Sequence, residues 1–493
     1  MEDTLESAGP TTKATAPNTA LRESLAPSIL IIFGITGDLS RRKLLPALYH
    51  LLKQDLLHEN TEIVGISRDN IDVKDLLAKA ELCIREENNI CDPAVIKLLE
   101  RKLHMYQMDL TKDEHYVQLR EHLQGIEDRH GVCMNRLFYM SIPPVVYGPL
   151  VKNLGKHGLN GSCKHGRAES RLLIEKPFGY DYKSAVELIG EMAEYFQESQ
   201  IYRIDHYLAK ETVQNILTFR FRNPVFRPLW SREYISKIEI VATETIGIEG
   251  RAAFYEPVGA LRDLIQSHLL QLLAVTTMDR PSDLNSNEIH EAKLRLLESV
   301  QQIPADKLSE RAVRGQYDTY KAEVNNPHSV TETFAAIKLF IDDERWQDVP
   351  IIIKTGKALS EKKTAIHVCF RHPLDKEHTN TLTFAVQPSE GIAIDLWVKK
   401  PGFDRELQTA SMDFSYQRTF EDEGHPDAYE RVLVDAVRGD RTLFATSDEV
   451  LAAWRIIEPA VEAWGKNDEG MQTYKSGSAG PATFPETDTN AAI

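Results

Sequence analysis

A short apolar, β-branched run, Ser28 to Phe33, stops at Gly34-Ile35-Thr36-Gly37-Asp38, and Leu44, Leu48 and Leu51 then recur at helical spacing between Leu39 and Leu52. A strand that turns through two glycines into a helix limits what the first part of the chain can become. Glycines there let the backbone approach a pyrophosphate, and the helix N-terminus favours its charge. The G-x-x-G spacing departs from the usual G-x-G-x-x-G, so an ordinary tight strand–helix turn fits it equally well. The pattern then repeats. Thr61 to Ile66 reads as a second buried strand and Leu76 to Glu86 as a helix. His104 to Met108, Arg136 to Met140 and Arg171 to Ile174 are further strands, the last stopping at Glu175-Lys176-Pro177. Strands alternating with helices indicate a parallel, doubly wound sheet, a Rossmann-like α/β domain over residues 28–200.

After Gln200 the pattern changes. Helical segments at 205–220 and 258–278 bracket a strand at Tyr234–Glu244. From residue 330 strands follow one another with short turns: Thr331–Phe340, Pro350–Lys354, Ala365–Arg371, Thr381–Val386, Ile392–Val398 and Glu406–Asp413. His367, Cys369 and Arg371 alternate with Ile366, Val368 and Phe370, which marks a sheet with two unlike faces. Helices return at 427–438 and 447–464. Residues 201–474 are thus expected to form a larger α+β domain on an extensive, mainly antiparallel sheet, followed by a loose Gly-, Ser- and Pro-rich segment, 475–493.

The net charge of −16 over 493 residues argues against nucleic acid or an anionic membrane as partner. An anionic ligand would need a local cluster of Lys, Arg and His. No apolar run approaches the ~18 residues of a membrane span. Residues 1–27 lack a basic start and an apolar core, so they read as a disordered tail and not as a signal peptide. Five scattered cysteines, Cys83, Cys91, Cys133, Cys163 and Cys369, show no metal-like spacing and fit free thiols in a reducing cytoplasm. No metal site is visible.

The run Arg203 to Glu211 supplies a carboxylate, an imidazole, a phenol and an ammonium in Asp205, His206, Tyr207 and Lys210. If a helix starts near Asp205, His206 and Lys210 share one face and can meet a single anion, which the helix N-terminus also favours. Asp205 could then hold a catalytic base elsewhere. A solvated, charged helix start accounts for the same letters. At the tip of the second strand stands Arg68 with no acid before it, and Thr36, Arg41, Arg42 and Lys43 add donors and charge near the glycine turn. That favours NADP over NAD without excluding NAD. Lys176, in Glu175-Lys176-Pro177-Phe178-Gly179, stands at the carboxyl edge of the sheet, where it could touch both nicotinamide and substrate; Pro177 leaves either isomer open. His268 lies on an otherwise apolar helix, where a bonded core histidine is the commoner occupant.

These residues together resemble the glucose-6-phosphate dehydrogenase family. The similarity rests on Gly34 to Leu39 with Lys43, Glu175 to Gly179, Arg203 to Glu211, Asp263 to Gln271, Asp342 to Pro350, Gly356-Lys357 and Asp427 to Arg431. The resemblance implies oxidation of C1 of β-D-glucose 6-phosphate to the 6-phosphogluconolactone, with hydride passing to NADP and no metal. It implies His268 as general base and Asp205 as its orienting carboxylate. The phosphate falls to His206, Tyr207 and Lys210. Glu244, Asp263, Lys357, Lys362 and Gln387 match positions that hold sugar hydroxyls or phosphate, and Lys176 aligns substrate with cofactor. For NADP the carried-over set is Gly34, Thr36, Gly37, Asp38, Leu39, Lys43, Arg68, Tyr147 and Lys176, with Asp109 at a strand end. A homodimer or homotetramer formed through the large sheet is also implied.

Departures are visible. Ala209 stands where Gly is usual, and Ser267 where an Asn usually precedes the base. Lys354 and His367 replace arginines of a second, structural NADP site in animal enzymes, so that site is not expected. A glucose–fructose or inositol-type sugar oxidoreductase would share the two-domain plan and the Glu-Lys-Pro element, but it leaves the cluster at 205–210 unexplained. An NADP-binding sensor would need neither His268 nor Asp205.

Overall fold

The computed structural model describes residues 25–82, 90–161, 168–372, 379–420 and 426–484. Most of the N-terminal tail, Cys83, Cys163, the end of the helix expected to reach Glu86, and residues 485–493 lie outside them. The chain forms two compact units, Met1–Phe138 with Ser162–Ser170, and Tyr139–Gly161 with Arg171–Ile493.

In the first unit β1 (Ser28–Phe33), β2 (Glu62–Ser67) and β3 (Leu103–Gln107) run parallel, with Ile31 opposite Val64 and Gly65 opposite Met105. Every residue of β1 is buried, which explains its unbroken apolar run. Gly34 follows at φ +79°, a left-handed conformation that glycine takes without strain. Its N–H donates to the Ile66 carbonyl, Gly37 N–H bonds back to Gly34, and helical winding begins at Asp38. That helix continues through Leu45–Lys53 and buries Leu44, Leu48 and Leu51. Helices Val73–Ala78, Pro93–Lys102 and Asp113–His130 complete the unit; the first stops at Ala78, short of the helix expected over Leu76–Glu86, Asp92 caps the second and left-handed Gly131 ends the third. Strand β4 (Asn135–Met140) follows. Cys91 and Cys133 each take part in a disulfide, which corrects the expectation of free thiols at both positions. Separations along a sequence carry no information on which thiols meet. Cys369 is free.

In the second unit β5 (Ser170–Ile174) pairs parallel with β6 (Ile201–Ile204). The large sheet has nine strands: β7 (Ile235–Thr243), β8 (Ala312–Tyr317), β9 (Phe334–Leu339), β10 (Ile351–Gly356), β11 (Lys363–Phe370), β12 (Thr381–Gln387), β13 (Gly391–Lys399), β14 (Leu407–Ser415) and, after the short β15 (Phe444–Ala445) that pairs with β6, β16 (Met471–Tyr474). Their order is β14-β13-β12-β11-β7-β10-β9-β8-β16. All neighbours are antiparallel except β7/β10 and β8/β16. Beyond β16 the segment expected to be loose carries backbone bonds, from Gly477 N–H to Ala358 and from Ser360 N–H to Ser478.

Two departures from the sequence reading bear on function. The helix expected from residue 205 starts only at Glu211, and residues 206–209 form turns instead. Leu208 N–H bonds to Asp205 and Lys210 N–H to Tyr207, so His206 and Lys210 do not share a helix face. Second, Leu261–Leu269 is wound as a π-helix before continuing as the α-helix Leu270–Thr277.

Candidate active site

The site grows from strand ends. Parallel β5 and β6 finish side by side and are followed by Lys176, which leads into a cis Lys176–Pro177 bond, and by Asp205. Parallel β7 and β10 end with Thr243 opposite Gly356, so the next residues, Glu244 and Lys357, meet as an ion pair. The π-wound segment faces them. An i→i+5 winding brings residues five apart towards one side, and Asp263 and His268 are five apart. The Asp263 carbonyl also accepts from Ser267 Oγ at 2.8 Å and from Lys176 Nζ at 2.7 Å. Lys176 Nζ lies 2.9 Å from Asp263 Oδ1 as well. Ser267 thus has a defined local role where the sequence departs from the family pattern. Ala209 is buried and is not among the non-glycine residues of positive φ, so its Cβ costs no backbone strain.

His268 is 1% exposed, and its Nδ1 lies 2.6 Å from Asp205 Oδ1. A carboxylate only accepts, so Nδ1 carries the proton and Nε2 keeps a lone pair in the neutral ring. Nε2 is buried without a partner. Tyr207 stacks on the imidazole at 4.4 Å between centroids, and His206 meets it edge-on at 4.5 Å. Burial lowers the His268 pKa below its ordinary value, although the Asp205 charge works to raise it. Burial acts to raise Asp205, but the neighbouring imidazole and its hydrogen bond win and hold the carboxyl low. His206 is pushed well down by burial and by the cations around it. Asp263 falls to about 2, because Lys176 and Lys357 outweigh its burial.

Lys176, His206, Tyr207, Glu244, Asp263 and Lys357 line one cavity of about 270 Å³. Sequence reasoning missed other parts of its wall, among them Arg251 and Tyr255, which bear no motif. It also passed over Glu175, whose carboxylate accepts from Tyr139 Oη at 2.5 Å and is pushed up to about 7 by burial. A larger cavity, about 680 Å³, lies among Arg227, Arg232 and Arg345, but no histidine is in its wall. Gln387 Nε2 reaches Tyr207 Oη at 3.4 Å and Thr364 Oγ1 at 2.9 Å. Lys210 is half-buried beside Glu390, and Lys362 is exposed outside the cavity wall. Lys354 pairs with Glu239, and His367 bonds Thr383.

In the first unit the glycine turn, half-open at Thr36 and Gly37, runs straight into a helix start, and Arg68 stands exposed past the tip of β2. These residues fit a dinucleotide pyrophosphate and a nearby anionic group. Asp38 and Lys43 are exposed on that helix start, with Leu39 half-buried. Asp109 spends its carboxylate on its own turn, accepting from Thr111 N–H and Oγ1. In the second unit Tyr147 is buried and donates its hydroxyl to the Glu175 carbonyl. Among the described residues no group of three or more His, Cys, Asp or Glu could hold a metal, and no helix is long and apolar enough to cross a membrane.

A strand–glycine–helix turn of dinucleotide type, and an oriented imidazole packed behind the wall of a cavity that carries Lys176 and Lys357, define an oxidoreductase of the dehydrogenase class. Family models described as the NAD binding domain and the C-terminal domain of glucose-6-phosphate dehydrogenase match residues 31–215 and 217–490. The chain is 38% identical over 480 residues to glucose-6-phosphate 1-dehydrogenase of Chlamydia muridarum, covering 92% of this chain and 94% of that protein. It is 38% identical over 476 residues to the Bacillus subtilis enzyme, covering 92% and 95%. A solved glucose-6-phosphate dehydrogenase in complex with its substrate glucose 6-phosphate superposes with a TM-score of 0.84 at 31% identity, covering 93% of this chain and 96% of that one. The Mycobacterium avium enzyme gives 0.80 at 31% identity, covering 93% and 95%. The chain belongs to the glucose-6-phosphate dehydrogenase family.

Proposed function

We propose that this protein oxidises C1 of β-D-glucose 6-phosphate to 6-phospho-D-glucono-1,5-lactone, with NADP as the preferred acceptor. The observation that carries this reading is the buried Asp205–His268 pair, whose Nε2 has no partner and whose ring packs against His206 and Tyr207, two residues that line a cavity with Lys176 and Lys357. His268 Nε2 takes the C1 hydroxyl proton as the C1 hydrogen departs with its electron pair, leaving the C1 carbonyl of the lactone. A bound nicotinamide supplies the hydride acceptor. Asp205 fixes the tautomer and stabilises the imidazolium that forms. His206, Tyr207 and Lys210 hold the phosphate. Glu244, Asp263, Lys357, Lys362 and Gln387 hold sugar hydroxyls or the phosphate, and Lys176 orients the sugar.

For the cofactor we assign Gly34, Thr36, Gly37, Asp38, Leu39, Lys43, Arg68, Tyr147 and Lys176, with Asp109 as the outermost member. Arg68 and the absence of an acid at the tip of β2 support NADP. The dinucleotide-binding part is taken as residues 28–200 and the substrate part as 201–474. We further propose a homodimer or homotetramer formed through the nine-stranded sheet, in the cytoplasm.

The reading is tested by following reduced-nicotinamide absorbance with protein, glucose 6-phosphate and NADP. Turnover with the phosphate ester well above that with glucose or inositol is expected. No turnover across pH and with either cofactor would overturn it.

A further inference from the structure

The end of β12 and the turn that follows it do more than supply Gln387. Three residues on, Glu390 accepts a hydrogen bond from Thr212 N–H through Oε2 at 3.0 Å, and its Oε1 lies 3.6 Å from Lys210 Nζ. Thr212 N–H belongs to the first turn of the helix Glu211–Arg222, whose amides have no partner within the helix. A carboxylate is the favoured occupant there, because the helix start is its positive end. Glu390 therefore ties a flexible lysine to a rigid element. A lysine ammonium on a four-carbon stem has no preferred position of its own, and among the described residues Lys210 makes no other ion pair. Residues 387–390 thus support two neighbours in the 205–210 run at once, Tyr207 through Gln387 and Lys210 through Glu390.

We propose that Glu390 is a positioning residue for the substrate's phosphate, acting through Lys210 and fixing the ammonium where the phosphate arrives. The inference rests on the reading of Lys210 as a phosphate ligand. It assigns to the β12–β13 turn a part in selecting the phosphate ester over the free sugar. Because the carboxylate is bonded to a backbone amide, it stays in place when the phosphate engages Lys210, whose remaining donors are open to it.

The test is steady-state kinetics with glucose 6-phosphate and with unphosphorylated glucose, on the wild type, Glu390→Gln, Glu390→Asp and Lys210→Ala. For Glu390→Gln the preference for the phosphate ester, taken as the ratio of the two kcat/KM values, should fall about two- to fivefold, carried by KM and not kcat. Glu390→Asp, which keeps the charge, should recover part of the loss. Equal losses on both substrates would mean a structural role only, and an unchanged or lowered KM for the ester would also overturn the proposal. Lys210→Ala separates the two levels. If it abolishes the preference while Glu390→Gln does not, only the inference fails. If Lys210→Ala leaves the preference intact, the phosphate reading falls with it.

Discussion

His268 has a usable lone pair because Asp205 decides which of its nitrogens holds the proton. Replacing it by Asn should lower kcat by about 10²- to 10⁴-fold with substrate binding retained, measured as turnover beside an equilibrium titration; a variant that keeps its rate would remove His268 from the base role. The pH dependence has a definite sign. The proposed base must be neutral to act, and burial places the His268 pKa below the ordinary 6.5. Then kcat/KM should hold level through neutral pH and fall only as the pH drops through that depressed value. Asp205 raises the His268 pKa, so Asp205→Asn should shift the acid limb to lower pH while lowering kcat through loss of the tautomer. A shift to higher pH would contradict the pairing. Arg68 offers a third check: Arg68→Ala should raise KM for NADP by about tenfold and leave KM for NAD little changed.

Among the elements, the π-wound segment and the helix that continues it carry the site, and the continuing helix is anchored from behind. Gln271, one turn past His268, donates to Glu449 Oε2 at 3.1 Å, and Lys293 and His290 reach the same carboxylate at 2.9 and 2.8 Å. Glu449 is fully buried, and its pKa falls to about 2 because Lys293 and His290 outweigh desolvation. Truncation to Ala strands the buried Lys293 ammonium and should cost about 3–5 kcal/mol in urea unfolding at neutral pH; a loss under about 1 kcal/mol would make the network incidental. The folded pKa lies below the unfolded one near 4.5. The contribution of Glu449 is therefore present above pH 4.5 and is lost as the pH falls towards 2, so the stability gap between wild type and Glu449→Gln should close over that window. None of this network was legible in the sequence, where Gln271, His290, Lys293 and Glu449 are polar letters on three separate helices. The parallel strands were legible, since burial on both faces writes an unbroken apolar run such as Ser28 to Phe33. The four-residue β6 and two-residue β15 were too short to leave a pattern. Winding of i→i+5 type at Leu261–Leu269 leaves an apolar periodicity close to that of an α-helix, so the sequence reading gave one regular helix there.

For the whole molecule, the large sheet ends at β14, an edge strand that leaves Leu407 and Met412 exposed. Unpaired edges of that kind invite pairing with another chain. Sedimentation at micromolar concentration should show a dimer or tetramer, and Met412→Asp should shift it towards monomer; a monomeric wild type would end the proposed assembly. The amino-acid sequence by itself determined the two kinds of domain, the strand–glycine–helix turn, and the supply of one imidazole, several lysines and several carboxylates in recognisable runs. Those follow from local periodicity and residue chemistry. Tertiary structure decided who meets whom. Asp205 and His268 are 63 residues apart, Glu244 and Lys357 113, and Tyr207 and Gln387 180. Such contacts depend on strand order and register, which bring the ends of β7 and β10 together across more than a hundred residues, and no local pattern encodes them. Tertiary structure also moved the start of the helix from Asp205 to Glu211: turns at 206–209 accompany the contact of Asp205 with His268, and the Thr212 amide at the helix start is left to Glu390.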